Sequence, residues 1–176
     1  MKMSNAVKLT VDEDWTVEAV LKTSDASTAP KTLLAESDMF SQGTSIYLGA
    51  EGNLILAQRG KVNSTSNAYW YFMVSDEDFD ANMPADFDIT QYHTYRMEYS
   101  YWLDGEKIGD LAITSNSMGR NGSTEYDGQY LDYSTINAQY IGSGNSGSLK
   151  TFGFSGDLKS LAIYVAHSYD NSCDTT

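Results

Sequence analysis

The sequence predicts an all-β protein, a two-sheet antiparallel β-sandwich of the jelly-roll kind. Three observations predict it. Apolar residues recur at every second position over short stretches, the signature of a strand with one buried face. Gly-, Ser- and Asn-rich connections separate those stretches. No helical periodicity persists over three turns anywhere in the chain. Many short strands, long polar loops and no long helices are the pattern of a sandwich.

The strands follow in order. Trp15 to Lys22 alternates Trp15, Val17, Ala19 and Leu21 against Thr16, Glu18 and Lys22. Thr32 to Glu36 is short and apolar. Ser45 to Gly49 and Asn53 to Arg59 flank Ala50-Glu51-Gly52, a hairpin connection with Gly where positive φ is easiest. Asn67 to Val74 is apolar on both faces, with Trp70, Phe72 and Val74 on one and Tyr69, Tyr71 and Met73 on the other. In a two-layer sandwich such a strand puts one face on the core and leaves the other to line a ligand groove. Ser75 to Asp88 reads as an acidic loop. Gln91 to Tyr99 alternates again, and Trp102 to Ile108 carries Asp104-Gly105, a strong two-residue hairpin signal. Residues 115–129 form a long polar loop. Strands around Ile136 to Ile141 and Leu158 to Val165 complete the domain, with a tight turn expected at Ser155-Gly156-Asp157. One domain is expected over 1–168, followed by a polar tail over 169–176.

Composition narrows the function. The chain has 176 residues, 13 of them Tyr, and a net charge of -13. Tyr supplies flat amphipathic area at low rotamer cost, which suits binding surfaces, although it also has high strand propensity. The negative charge argues against nucleic acid and against anionic membrane surfaces, both of which call for Lys and Arg. No stretch is long and apolar enough to span a membrane. The single Cys173 excludes an internal disulfide. The start of the chain, MKMSNAVK, lacks the apolar core of a signal peptide, so either the protein is intracellular or it is a module excised from a longer secreted or particle-bound chain; the abrupt start and the polar tail SYDNSCDTT favour excision.

Four segments in sequence order carry a family resemblance. They are Trp15-Thr16-Val17-Glu18-Ala19, Tyr92-His93-Thr94-Tyr95, Tyr101-Trp102-Leu103-Asp104-Gly105-Glu106-Lys107, and the run Ile141-Gly142, Phe154-Ser155-Gly156-Asp157-Leu158, Ile163-Tyr164. Together they resemble the concanavalin A-like jelly roll of the laminin-G-like kind, over nearly the whole chain. Thr32-Leu33-Leu34, Ser45-Ile46-Tyr47-Leu48 and Gly52-Asn53-Leu54 are similar to the sialic-acid-binding lectin modules attached to sialidases. Those modules grip the sugar carboxylate with Arg from two strands, and Arg59 and Arg96 fall near those places. Where that family has a Glu two residues before the first Arg, this chain has Ala57.

The resemblance implies a non-catalytic carbohydrate-binding module, with a sialylated or neutral glycan as partner. It also implies an extracellular or cell-surface setting. The candidate ligand-binding residues are Tyr47, Tyr69 and Tyr71 for ring stacking, with Arg59, Arg96 and Glu98 as polar contacts. Arg suits a two-point carboxylate clamp; the plainer reading pairs both Arg with surface acids. Laminin-G-like folds can carry calcium on loops, so a structural Ca2+ stays open. The acids of 75–88 fit no EF-hand pattern. No Glu-x-Asp-x-Glu run of the jelly-roll glucanases occurs, so no catalytic pair is expected. The competing expectation is a structural or adhesive domain of a virion, pilus or cell-surface assembly, using the Tyr face as a protein interface.

Overall fold

The computed structural model describes residues 2–10, 15–24, 31–35, 43–61, 67–115, 135–142 and 153–165. They form eleven strands and one short helix: β1 (Lys2–Thr10), β2 (Trp15–Thr23), β3 (Lys31–Ala35), β4 (Gly43–Leu48), β5 (Leu54–Lys61), β6 (Asn67–Val74), α1 (Asp76–Asn82), β7 (His93–Met97), β8 (Ser100–Leu103), β9 (Glu106–Ser115), β10 (Thr135–Ile141) and β11 (Gly156–Val165). All pairings are antiparallel, in the order β1-β10-β3-β4-β5-β6-β9-β8-β7-β2-β11. The sheet is folded over at β9. Leu111 to Ser115 of that strand pair with β6, whereas Glu106 to Asp110 pair with β8. One strand therefore belongs to both layers, a larger one running from β1 to β6 and a smaller one running from β8 to β11.

The period-two pattern does its work between the layers. Val17, Ala19 and Leu21 of β2, Tyr95 and Met97 of β7, and Tyr101 and Leu103 of β8 point inward from the smaller layer. Leu33 and Leu34, Ile46, Leu48, Leu54, Leu56 and Val74 meet them from the larger one. Each fully buried Leu or Ile contributes roughly 1.5–3 kcal/mol through removal of apolar area from water.

Two phenols in this core differ in a testable way. The Tyr101 hydroxyl donates to the Gly52 carbonyl at 2.7 Å, tying the β8 strand to the β4–β5 hairpin. The Tyr95 hydroxyl is buried with no hydrogen-bond partner among the described residues. Tyr101→Phe removes the donor to a buried carbonyl and is expected to cost about 1–3 kcal/mol, whereas Tyr95→Phe stays within about 1 kcal/mol of wild type or stabilises. Equal losses in denaturant unfolding of the two variants would contradict this assignment.

Three sequence expectations need correction. The segment read as an acidic loop begins with helix α1. Ser75 caps it, its Oγ accepting from the Asp78 N–H at 3.1 Å. Asp76, Glu77 and Asp78 occupy the first turn, where carboxylates meet the positive end of the helix dipole, and Phe79 anchors the helix in the core. The turn expected at Ser155-Gly156-Asp157 is instead the start of β11, with Gly156 opposite Thr23. Strand β1 was not foreseen; it pairs with β10 over Val7 to Thr10, opposite Ala138 to Thr135. The polar loop over 116–129 and the tail over 169–176 lie outside the described residues.

Candidate functional site

The larger layer carries the Tyr face expected to bind. Register and alternation place Tyr47, Ile55, Ala57, Tyr71 and Met73 on the side of β4, β5 and β6 away from the main core. The face is the expected one, but it is not open at these residues. Tyr47 is 1% exposed and Tyr71 5%, packed in a second apolar cluster with Ile55 and Met73. Alternation fixes the side of a sheet on which a residue lies; it does not determine whether that side meets water. The positions of Arg59 and Tyr69 pair with each other across β5 and β6. Their side chains lie outside the described residues.

Arg96 and Glu98 are elsewhere. Tyr95 and Met97 point into the core, so Thr94 and Arg96 stand on the outer face of the smaller layer, and Glu98, just past the end of β7, reaches Arg96 there. Arg96 thus belongs to β7 of the smaller layer, whereas position 59 belongs to β5 of the larger one.

What the fold does assemble is a row across the outer face of the smaller layer. Glu18 of β2 lies opposite Arg96 of β7, and Arg96 lies opposite Trp102 of β8. The Arg96 guanidinium sits 5.7 Å from the centre of the Trp102 ring system, and one of its terminal nitrogens donates to Glu98 Oε2 at 2.9 Å. Thr16 Oγ1 donates to the same Glu98 oxygen at 3.4 Å. At one end of the row the β8–β9 hairpin turns through Asp104, whose φ of 51° is left-handed. Gly105 follows with φ 90°. Asp104 is held from three sides. Its Oδ1 accepts from the Thr94 N–H at 2.7 Å, its own N–H donates to the Thr94 carbonyl at 2.9 Å, and its Oδ2 lies 2.7 Å from His93 Nδ1. The other ring nitrogen of His93 is 3.0 Å from the Asp88 carbonyl oxygen.

Glu18, Thr94, Arg96, Trp102, Asp104 and Gly105 line a cleft of about 410 Å³ in this row. Two N–H groups of its lining residues, Arg96 Nε and Trp102 Nε1, are buried beneath its surface with no hydrogen-bond partner among the described residues. Such donors are costly to leave unpaired next to a protein interior. An indole, a hydroxyl and carboxylates gathered in one cleft are the equipment for recognising a hydroxylated ring. A second, apolar cavity between the layers, bounded by Leu33, Phe154 and Leu161 among others, holds only about 10 Å³, room for a single water at most.

Of the residues expected from sequence, Arg96 belongs to this cleft and Glu98 supports it from beside the guanidinium. Sequence reasoning did not select Trp102, Glu18, Thr94 or Asp104. The signal was present: Trp102 alternates with the inward residues Tyr101 and Leu103, which leaves an indole on an outer face. Among the described residues no group of three or more His, Cys, Asp or Glu side chains is placed to hold a metal ion. No helix of the described residues is long and apolar enough to cross a membrane.

The topology defines the fold: one curled antiparallel sheet in two layers, with strands from early and late in the chain side by side in each. It is an antiparallel β-sandwich of the jelly-roll kind. Comparison with solved structures finds a native heptameric SAP-like pentraxin from Limulus polyphemus, 17% identical with a TM-score of 0.46, covering 92% of this chain and 67% of the pentraxin. It also finds the CBM40 of the Ruminococcus gnavus IT-sialidase bound to α2,3-sialyllactose, 12% identical with a TM-score of 0.40, covering 93% of this chain and 88% of that module. No protein-family model matches the sequence, and no curated protein matches it.

Proposed function

We propose that the protein is a non-catalytic, lectin-like carbohydrate-binding module whose ligand seats on the outer face of the smaller layer. The observation that carries this reading is the Glu18–Arg96–Trp102 row in its cleft. A pyranose offers a CH-rich face and a rim of hydroxyls; Trp102 supplies the ring for the first, and Glu18, Thr94 and Asp104 supply fixed polar partners for the second. The framework is rigid because every contact arises from paired strands or from the pinned Asp104 turn, so little is lost on ordering the site. Arg96 and Glu98 keep the role expected of them as polar elements of the site. Tyr47 and Tyr71 are assigned to the core instead. An extracellular or cell-surface setting within a larger protein belongs to the same proposal, since glycans are displayed there and repeated modules compensate for weak single-site affinity.

The test is a glycan-array screen of the domain, followed by titration of the best ligand against wild type and Trp102→Ala. Loss of the stacking platform is expected to weaken binding at least about tenfold, in line with the roughly 1–3 kcal/mol of stacking on an aromatic ring. A blank array would remove the carbohydrate reading. If Trp102→Ala instead altered oligomeric state on a sizing column, the structural or adhesive alternative would take its place.

A further inference from the structure

We infer that the Trp102 cleft selects an uncharged sugar over an acidic one. This rests on the carbohydrate reading above and goes further, to the class of ligand. The argument begins with the cation. Arg96 is the one Lys or Arg among the residues lining the cleft. Its charge is already committed, because Glu98 Oε2 accepts from it at 2.9 Å while the guanidinium packs against Trp102. Glu98 follows two residues on, just past the end of β7, and the contact itself shows its carboxylate beside the guanidinium.

The remaining charge in the cleft is negative. Glu18 stands directly across the strands from Arg96 yet makes no ion pair or hydrogen bond among the described residues, which leaves its carboxylate available. Asp104 adds a second carboxylate, fixed by Thr94 and His93. One guanidinium thus faces Glu18, Glu98 and Asp104, and even a charged His93 on Asp104 leaves the group negative overall. The neighbouring lysines on this side do not redress it: Lys107, opposite Trp102 in β9, is already paired with Asp110 at 2.7 Å. Lys22 is 3.5 Å from Asp157 and 5.0 Å from the Tyr92 ring centre, and Lys159 lies 3.6 Å over the same ring.

A sugar carboxylate entering here meets two carboxylates and a guanidinium that has a partner already. Its repulsion adds to the cost of displacing Glu98. A neutral pyranose meets the reverse situation. Its hydroxyls donate to Glu18 and to the outward lone pairs of Asp104, and accept from Thr94 Oγ1. A hydroxyl both donates and accepts, so it suits a cleft that presents both kinds of group. Glu18 is accordingly the residue that sets the selectivity, and Trp102 the one that supplies general affinity for sugars.

The experiment uses an array printed in matched pairs, each neutral oligosaccharide beside its sialylated counterpart. Calorimetric titration of the best pair follows, against wild type, Trp102→Ala and Glu18→Gln. Glu18→Gln is a half-exposed isosteric change that leaves the core untouched, and near-ultraviolet circular dichroism checks the fold of both variants. The expected result is that neutral members bind and sialylated counterparts bind at least about tenfold more weakly, a gap that narrows as salt screens the carboxylates. Trp102→Ala then weakens all binding, and Glu18→Gln shrinks the gap about threefold or more. Sialylated members bound as tightly as their neutral parents, or tighter, with Trp102→Ala still abolishing binding, would overturn the selectivity while leaving the carbohydrate reading in place. Binding that ignores both substitutions, or no binding at all, would overturn both.

Discussion

Raising the pH above about 10, the ordinary value of a tyrosine phenol, is expected to unfold this protein cooperatively. Burial holds the Tyr95 hydroxyl well above that value, with the Asp104 carboxylate adding to the effect. Burial does the same to Tyr101, helped by Tyr95 and then Asp104. In the unfolded chain both ionise normally. The stability that comes from keeping them protonated is therefore complete below the unfolded value and is lost as pH rises towards the folded one. Each tyrosine costs about 1.4 kcal/mol per pH unit in that window, so the pair costs roughly 2.7 kcal/mol per unit. Two units consume about 5 kcal/mol, which is comparable to the whole stability of many domains. Tyrosinate absorbance and circular dichroism recorded together should show exposed phenols ionising first and a remaining group ionising only as the fold is lost. Tyr101→Phe should roughly halve the slope. A denaturant midpoint unchanged between neutral pH and pH of about 12 would show that the two phenols do not govern alkaline stability.

Gly156→Ala is the substitution expected to do most damage to the fold for the smallest change in volume. Gly156 opens β11 at φ 154°, where side chains rarely sit. A Cβ there would run into the Lys22 carbonyl oxygen and lie 2.7 Å from Thr23 Cα. Both obstacles are backbone, in the neighbouring strand, and neither can rotate away. Relief requires β11 to lift from β2 where Ser24 N–H donates to the Ser155 carbonyl at 2.9 Å and the two Ser hydroxyls meet at 2.6 Å. Strain and lost pairing together are expected to cost about 3 kcal/mol, or roughly 6–12 °C in Tm for a domain of this size. Gly105→Ala is the control. Its φ of 90° is also unfavourable, but nothing lies within 4 Å of its would-be Cβ, so its loss should be clearly smaller. Equal losses would mean that close approach to β2 adds nothing at Gly156.

The sandwich was legible because period two is a local signal. Trp15 to Leu21 announces its inward face from the residues alone, and Asp104-Gly105 announces a hairpin that the structure builds with both residues at positive φ. Helix α1 was hidden because seven residues are too few for a 3.6-residue period to show, and its acids looked like loop solvation when they also suit the first turn of a helix. The site was only half legible. Arg96 and Glu98 could be placed on an outer face, yet the partners that make a cleft of them come from β2 and β8, and strand neighbours are a property of topology. Tyr71 illustrates the opposite error: Tyr69, Tyr71 and Met73 share a face, and the apolar Met73 was already a hint that this face closes over rather than opens.

The strand order also dictates when the protein can fold during its synthesis. Of the described strands, β1 and β2 leave the ribosome before the others, but β1 pairs with β10 at residues 135–141, and one edge of β2 pairs with β11 at residues 156–165. Val17, for instance, waits for Ile163. Neither layer can complete its edge until nearly all of the described chain has emerged, and contacts between segments so distant in sequence form slowly. Through that interval the apolar sides of β2 to β6 are exposed to other nascent chains with their hydrogen-bonding edges open. The 24 acidic residues set against 11 basic ones then act before any ligand is met, as mutual repulsion that keeps half-made copies of the protein apart.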